Sequence, residues 1–452
     1  VALMSLILSL GIVEIMILNL DQLIGFNLPA ISYDWKYLGF LTLLLIVVTI
    51  ASGLYPALFI SGFKPSRVLK QNLAISTGKL SVRKVLIGFQ LFVSQALVIA
   101  VLVIFTQLDH FLSKPIGIDP EAIIEFRIPG PDKIDMVTLR ERLQKVSGVK
   151  HATFSNTGTT SSNTWGGMAK GRLNGELIEQ YVQVKLIDPD YFRTYDVELV
   201  AGRSLVDSDT VKRFLLNEEA VRQMGYLSPE DAIGIQINIW DDQKGEVVGV
   251  VKDFYTMSLH HSIQPVAFFK GLEMSYRGAV KLEGNDLDET IKEIEDVWKS
   301  YFTEHIFSYN YLDESIVRFY TEEKRLANTF GVFSLIAILI GSIGLLGLIS
   351  YMVNVKMKEI GIRKVLGASI YQILKVISSD FVKLTFLSFL FALPVTWYLV
   401  NSWLQNFESR IELNPWIFMA ALGVSLVVTV LTVSFQSVKA AMINPVNTLK
   451  DD

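Results

Sequence analysis

Histidine and carboxylate side chains are the usual ligands of catalytic metals, and their spacing here is unlike that of a metal site. The five histidines are His110, His151, His260, His261 and His305. None has a zinc-ligand spacing such as two histidines four positions apart with a glutamate between them. The sequence therefore predicts no metal centre.

Nucleophilic and phosphate-binding motifs are likewise missing from the sequence. No Gly-x-Ser-x-Gly elbow occurs, and zero cysteines exclude thiol chemistry. Gly78-Lys79 is followed by Leu80, where a P-loop needs Ser or Thr for magnesium, and position 73 is not glycine. We predict no catalytic residues and no enzyme activity in this chain.

One basic, glycine-punctuated segment, residues 356–369, combines charge with helix stop and start signals. Glu359 and Arg363 are four residues apart, which favours a short helix. Gly367 can end that helix, and Ser369 with Gln372 forms a capping box for the next one. The candidate coupling residues are Lys358, Glu359, Gly361, Arg363, Lys364, Gly367 and Ala368.

These signals predict a short basic helix, a sharp bend and a new helix that enters the membrane. A push on the short helix would then move the following membrane crossing as a rigid rod. The alternative is a positively charged loop that only sets membrane topology. That alternative explains the charge but not the paired stop and start signals.

The elements around this segment are membrane spans. The chain is 51% hydrophobic and only 19% charged, which is typical of a membrane protein. Six apolar runs approach or exceed the roughly 20 residues needed to cross a bilayer. They are Val1–Leu20, Tyr37–Ile60, Val85–Leu108, Phe330–Val353, Leu384–Val400 (extended upstream from Ile373) and Trp416–Phe435.

Charged residues inside the spans are few, which disfavours a proton-driven carrier. Glu14 lies in the first run, and Asp380 and Lys383 lie near the cytoplasmic end of the fifth. The fourth run instead carries small residues where helices can pack closely. These predicted packing residues are Ala337, Gly341, Gly344 and Gly347, a candidate contact between two halves of the membrane part.

Lysine and arginine in the short loops set the orientation. The 61–84 and 354–376 loops are basic and belong in the cytoplasm, so residues 109–325 lie outside. The net charge of -4 gives no reason to expect a nucleic-acid partner. We predict an α-helical membrane protein of about six transmembrane helices with an inserted extracytoplasmic α+β domain.

The outer domain, residues 109–325, shows two βαβ-like patterns, at 120–156 and 279–312. Between them, residues 160–275 read as a β-rich insertion. Residues 315–328 have helical spacing and mixed charge, and they join the fourth crossing without a breaker. They are the predicted stalk.

Residues 55–70 align without gaps on residues 435–450, sharing a proline and a Leu-Lys end. If the repeat is more than a chance similarity of membrane-exit sequences, residues 1–70 are the last two crossings of a first unit whose N-terminal part lies upstream. Residues 71–108 are then a cytoplasmic linker and the first crossing of a second unit, and residues 326–452 hold its last three crossings.

The 356–369 segment, together with this order of spans, resembles the cytoplasmic coupling loop of FtsX-like permeases. The outer domain resembles the MacB-like periplasmic core domain. The matching pieces are Asp190-Tyr191-Phe192, residues 198–203, residues 216–220, Ala232-Ile233-Gly234, and residues 247–254 with Pro265.

This resemblance implies the permease subunit of an ABC transporter in a bacterial inner membrane, which relays the motion of a separate cytoplasmic ATPase outward. ATP and magnesium would bind that partner, and this chain would hold no cofactor. Further implied partners are membrane lipid, a first permease half or second protomer, and a periplasmic adaptor. The implied substrate is an exported antimicrobial or peptide; the alternatives are lipoprotein release, or non-transporting regulation of a cell-wall hydrolase or sensor kinase.

Overall fold

The computed structural model describes residues 2–24, 34–61, 82–161, 165–173, 175–209, 211–355, 359, 362–363 and 366–441. Within these ranges the chain forms two compact units. One comprises Val1–Phe105, Glu323–Val400 and Leu413–Asp452, and the other comprises Thr106–Glu322 and Asn401–Glu412. We call the first the helical unit and the second the outer unit.

The helices are α1 (Ala2–Ile24), α2 (Trp35–Ser61), α3 (Val82–Ser113), α4 (Met136–Gln144), α5 (Tyr191–Thr194), α6 (Glu218–Gln223), α7 (Leu287–Tyr301), α8 (Leu312–Arg318), α9 (Thr321–Val355), α10 (Ile370–Leu404) and α11 (Pro415–Ala441). The strands are β1 (Ile123–Arg127), β2 (Val149–Ser155), β3 (Trp165–Leu173), β4 (Glu176–Ile187), β5 (Leu199–Gly202), β6 (Arg213–Asn217), β7 (Gln236–Ile239), β8 (Gln243–Val251), β9 (Val266–Lys270), β10 (Arg277–Leu282) and β11 (Tyr309–Tyr311).

Five helices among the described residues are long and apolar enough to cross a membrane. Their apolar spans are Trp35–Leu54, Arg83–Ser113, Thr321–Val353, Leu374–Leu404 and Pro415–Phe435. These five match the second to sixth predicted runs. The first predicted run corresponds to α1, whose described apolar part, Ala2–Ile15, is shorter.

The core of the helical unit lies where α3, α9, α10 and α11 meet. Leu91 of α3, Ile349 of α9, Phe381 of α10 and Val433 of α11 are all buried in one apolar cluster. Helix α10 begins at Ile370, close to the upstream extension from Ile373 that is predicted for the fifth run, and it ends at Leu404. Pro394 lies inside α10 and supplies no backbone N–H to it.

Two interlocked βαβ units form one end of the outer sheet, whose strand order there is β11-β1-β10-β2. Strand β10 pairs antiparallel with both β1 and β2, and β1 pairs antiparallel with β11. Each unit is therefore split by a strand of the other, as in ferredoxin-like folds. Helices α4 and α7 bury Leu139, Leu143, Ile294 and Trp298 in one core with these strands.

The insertion between the two βαβ units closes into a barrel, which the sequence did not predict. The pairing runs β4-β3-β7-β8-β6-β9, and β9 then pairs with β4 in parallel. The barrel core includes Val184, Phe214, Val247 and Phe269, each at most 3% exposed. The β-rich lobe therefore has its own apolar core.

The stalk is not the single uninterrupted helix that the sequence predicts. Helix α8 ends at Arg318 and α9 begins at Thr321, with a turn at Phe319 and Tyr320 between them. The N–H of Tyr320 donates to the carbonyl of Val317 at 3.1 Å, three residues back, so the helical ladder stops there. The ring of Tyr320 is buried, 2% exposed, and burying this ring gives the turn a physical cause.

Candidate functional site

The described part of the predicted coupling segment has the local geometry that its sequence predicts. The guanidinium of Arg363 lies 2.7 Å from the carboxylate of Glu359. Gly367 has φ of 88°, the left-handed conformation, and the N–H of Ala368 donates to the carbonyl of Arg363 at 2.9 Å. This bond over five residues, next to a left-handed glycine, is that of a Schellman helix stop.

A new helix begins directly after this stop. The N–H of Gln372 donates to the Ser369 hydroxyl at 3.3 Å, and the N–H of Ser369 donates to the Gln372 side-chain oxygen at 3.0 Å. This reciprocal pair is the predicted capping box, and it starts α10. Ala368, between stop and start, packs against the apolar cluster of the helical unit.

Two apolar side chains of this segment were missed as candidates. Ile362 is 50% exposed and Leu366 is 80% exposed. Their spacing of four residues places them on one face of a helix, which was the available sequence signal. Lys358, Gly361 and Lys364 lie outside the described residues.

The four predicted packing residues of α9 have unlike surroundings. Gly344 faces α3, where an added Cβ would lie 2.5 Å from the side-chain oxygen of Gln90. Gly341 is buried and Ala337 is half-buried, whereas Gly347 is exposed. An alanine at position 344 would therefore force the flexible Gln90 side chain to move, and a role of these residues in joining two permease halves stays a prediction.

The outer unit contains an aromatic cluster that the sequence did not predict, which we call the outer junction. Phe111 of α3 stacks on Tyr320 with ring centroids 4.8 Å apart. Phe407, from the 401–412 loop, packs edge-on against Phe111 at 5.4 Å and contacts His260 at 5.0 Å. The junction joins four segments that are far apart in sequence.

Hydrogen bonds tie the 401–412 loop into the outer junction. Gln107 donates through its side-chain nitrogen to the Ser409 carbonyl at 2.9 Å and accepts from the N–H of Ile411 at 2.9 Å. Lys114 donates to the Ser409 hydroxyl at 2.8 Å. The 401–412 loop therefore belongs with the outer unit, although it connects two membrane helices.

Backbone bonds continue from this loop to the 255–261 loop that follows β8. The N–H of Ser409 donates to the carbonyl of Leu259 at 3.3 Å, and the N–H of Leu259 donates to the Tyr320 hydroxyl at 3.1 Å. The connection between α10 and α11 is thus bonded to a loop of the β lobe.

Titratable groups are also buried inside the outer unit. Arg140 of α4 lies 3.5 Å from Asp188 and 3.4 Å from Asp190, and it donates to Asp207 at 2.5 Å. Burial raises the pKa of the Asp188 carboxyl to about 6, despite its hydrogen bonds from Thr153 and Phe154. This arrangement holds α4 to the loops around it.

A buried lysine braces the loop after β2. Lys185 donates to the Gly158 carbonyl at 2.6 Å and to the Thr157 hydroxyl at 3.2 Å, and burial lowers its pKa to about 8. Glu125 accepts from the Tyr195 hydroxyl at 2.9 Å nearby. Among the described residues no group of three or more His, Asp or Glu side chains could hold a metal ion.

The turns singled out by the resemblance have structural causes. Gly202 has φ of 76°, and an added Cβ would lie 2.2 Å from the Val248 carbonyl oxygen. The Asn217 side chain accepts from the N–H of Ala220 at 3.1 Å and so caps α6. These residues shape the barrel and need no ligand to explain them.

Comparison with known proteins gave matches to two family models and to solved structures. The family described as FtsX-like permease C-terminal matches residues 331–445, and the MacB-like periplasmic core domain matches residues 91–297. The search of curated proteins gave no match.

Three of the similar solved structures are extracytoplasmic or periplasmic domains or a permease domain, all at a TM-score of 0.30. The periplasmic region of MacB from Actinobacillus actinomycetemcomitans is 17% identical and covers 45% of this chain and 95% of that chain. The extracellular domain of the noncanonic ABC-type transporter YknZ from Gram-positive bacteria is 16% identical, with 41% and 98% covered. A domain of a permease protein from Porphyromonas gingivalis is 20% identical, with 42% and 91% covered.

The two family matches lie in the order that the spans predict, with the core domain before the last three crossings. The long apolar helices and the inserted α+β unit agree with the predicted fold class. The chain therefore contains an FtsX-like permease C-terminal region and a MacB-like periplasmic core domain, and it is a multi-pass membrane protein with an extracytoplasmic domain.

Proposed function

We propose that this chain is the permease subunit of an ABC transporter in a bacterial inner membrane and that it relays motion from a cytoplasmic ATPase to its outer unit. The ATPase is a separate protein that binds ATP and magnesium. The relay begins at residues 359–369 and ends in the outer unit, which acts on an extracytoplasmic substrate.

The observation that carries this proposal is the helix stop joined directly to a helix start. The hydrogen bond from Ala368 to Arg363 and the capping box at Ser369 leave no extended linker between the short helix and α10. A displacement of the short helix is therefore passed to α10 with little loss. A loop that only sets topology needs neither feature.

The face for the partner consists of exposed apolar and charged groups side by side. Leu366 and Ile362 are exposed, and the Glu359 to Arg363 ion pair is half-exposed. Burial of an exposed leucine in a partner groove stabilises a complex by about 1.5–3 kcal/mol. The charged pair next to it would select the partner and its orientation.

The outer junction supports the other end of the relay. The 401–412 loop follows α10 and bonds to Leu259, so motion of this loop is passed to the β lobe. Tyr320, in the turn before α9, bonds to the same residue. The 401–412 loop and this turn are thus bonded to one loop of the outer unit.

Co-purification with the cognate ATP-binding cassette protein tests the proposal. The double reversal Glu359→Lys with Arg363→Glu keeps an ion pair at the same spacing, so the helix is retained while its surface charge pattern is inverted. We expect association with the ATPase to fall at least tenfold.

The matched control is Glu295→Lys with Lys299→Glu on α7, where an exposed pair has the same four-residue spacing at 2.8 Å. This variant should bind the ATPase like the unmodified chain. Equal association of both double variants would sink the docking claim.

A further inference from the structure

A small cavity with a mixed apolar and polar lining lies inside the helical unit, where α9 crosses α3 and α11. Its volume is about 20 Å³. The polar side chains that line it are Ser94, Gln95, Ser342, Ser425 and Thr429, and Gly341 of α9 forms part of the wall. Roughly 10–15 Å³ is enough for one water molecule.

Gln95 is fully buried at this cavity, 0% exposed. Its side-chain nitrogen donates to the Thr385 carbonyl at 3.1 Å. Its side-chain oxygen, Oε1, has no hydrogen-bond partner among the described residues. A buried amide oxygen without a donor is costly, and more so among membrane helices, where bulk water is absent.

Three of the four hydroxyl groups that line the cavity, those of Ser342, Ser425 and Thr429, already use their protons elsewhere. Ser342 donates to the Ile338 carbonyl at 2.8 Å and Ser425 donates to the Ala421 carbonyl at 2.9 Å. Thr385 donates to the Phe381 carbonyl at 3.0 Å, so Thr429, 3.0 Å from the Thr385 hydroxyl, donates to Thr385. Three lining hydroxyls therefore offer only lone pairs to the cavity.

The Gln95 oxygen and these three hydroxyl oxygens are acceptors, so a ligand that pairs with them has to donate hydrogen bonds. No carboxylate lines the cavity, so a cation would lie in the membrane interior without a counter-charge. A cavity of about 20 Å³ is too small for any ligand larger than one water-sized molecule. We propose that this cavity binds a single water molecule, which donates to Gln95 Oε1 and to a lining hydroxyl.

The bound water would have a mechanical role in the relay, and this role rests on the proposed function. Helix α9 runs from the outer junction toward the coupling segment, so it has to shift against α3 and α11 during the relay. A water can exchange one hydroxyl acceptor for another at little cost. The bound water would let α9 move while Gln95 Oε1 keeps a donor.

Two glycines of α9 make a matched test, because an added Cβ at either meets nothing within 4 Å. Gly341→Ala places a methyl group in the cavity, whereas Gly347→Ala places it at an exposed position of the same helix. Both gain equally in helix propensity. We expect the unfolding midpoint of Gly341→Ala to lie about 2–4 °C below that of Gly347→Ala, because the displaced water leaves Gln95 unpaired.

The variant Gln95→Leu removes the orphan oxygen, and in that background the difference between the two alanine variants should vanish. A higher unfolding midpoint for Gly341→Ala than for Gly347→Ala would mean a dry cavity and would overturn the proposal. If Gly341→Ala keeps its lower midpoint in the Gln95→Leu background, the cause is steric overlap, which would also overturn it. These measurements use the full chain without ATPase, so they do not depend on the docking claim. If Gln95→Leu is not recovered folded, experimental density for the full chain decides: a water peak within hydrogen-bond distance of Gln95 Oε1 supports the site, and an empty cavity overturns it.

Discussion

The hydroxyl of Tyr320 accepts the backbone N–H of Leu259 at 3.1 Å, and this bond joins the turn before α9 to a loop of the β lobe. Leu259 is fully buried and Tyr320 nearly so, so neither group has ready access to water. Loss of this hydrogen bond would therefore leave a buried N–H unpaired and destabilise the outer junction.

Tyr320→Phe should loosen the outer junction while keeping its ring stacking on Phe111. The buried N–H of Leu259 would lose an acceptor, at a cost of about 1–3 kcal/mol. Amide hydrogen exchange at residues 259–261 should accelerate by at least tenfold. Tyr276→Phe, at a side chain that is 43% exposed in the same unit, is the control and should leave exchange unchanged. Unaltered exchange in Tyr320→Phe would show that the bond contributes nothing.

Leu366→Glu should abolish docking of the ATPase without unfolding the chain. The leucine is 80% exposed, so a carboxylate there costs the free chain little, but it would be buried without a partner in a complex. We expect at least a tenfold loss of ATPase binding, measured on the purified chain. Leu227→Glu, at a leucine that is 99% exposed in the outer unit, should bind normally. Retained binding by Leu366→Glu would place the contact elsewhere.

Arg140→Met should strongly destabilise the outer unit, because it leaves Asp188, Asp190 and Asp207 facing one another without their shared cation. Breaking a buried ion pair from one side costs about 3–5 kcal/mol. Thermal unfolding monitored by tryptophan fluorescence measures the loss. Arg193→Met serves as the comparison, since Arg193 is 74% exposed and lies 3.6 Å from Asp190. Similar midpoints for the two variants would contradict the assigned role of Arg140.

Asp253 predicts a pH dependence of stability. Burial, followed by the charge of Glu218, raises its pKa from 3.8 to about 6. Between these pH values the folded state holds a proton that the unfolded state has lost, so the free energy of unfolding falls as pH rises from about 4 to 6. Above pH 6 this contribution is constant.

Asp253→Asn should make that fall shallower when urea unfolding is followed between pH 4 and 7. Asp188 also has its pKa raised to about 6, so part of the slope should persist. Asp242→Asn, at an exposed carboxylate, should keep the full slope. An identical slope in Asp253→Asn would exclude Asp253 as a source of the pH dependence.

Local signals in the sequence predicted local structure well. Strand β2 lies at Val149–Ser155 within the predicted 120–156 pattern, and the stop at Gly367 and cap at Ser369 form as expected. These features depend on backbone conformation and on bonds between residues at most five positions apart. Neighbouring residues in the sequence determine them almost completely.

Long-range pairing could not be predicted in the same way. The parallel pairing of β4 with β9, which closes the barrel, joins Gln183 to Val266. Alternating apolar residues show which face of a strand is buried but not which strand lies beside it. The bonds of the 401–412 loop to Leu259 and Gln107 likewise depend on tertiary contacts that no local pattern encodes.

Pro394 interrupts the hydrogen-bond ladder of α10, the helix that the sequence predicts to move as a rigid rod. Without an N–H at this position, the carbonyl of Leu390 lacks its helical donor, and α10 consists of an inner length before the proline and a short outer length after it. Thrust applied along the inner length can be turned into a sideways swing of the outer length. The displacement that reaches the 401–412 loop would then differ in direction from the displacement applied at the first turn of α10.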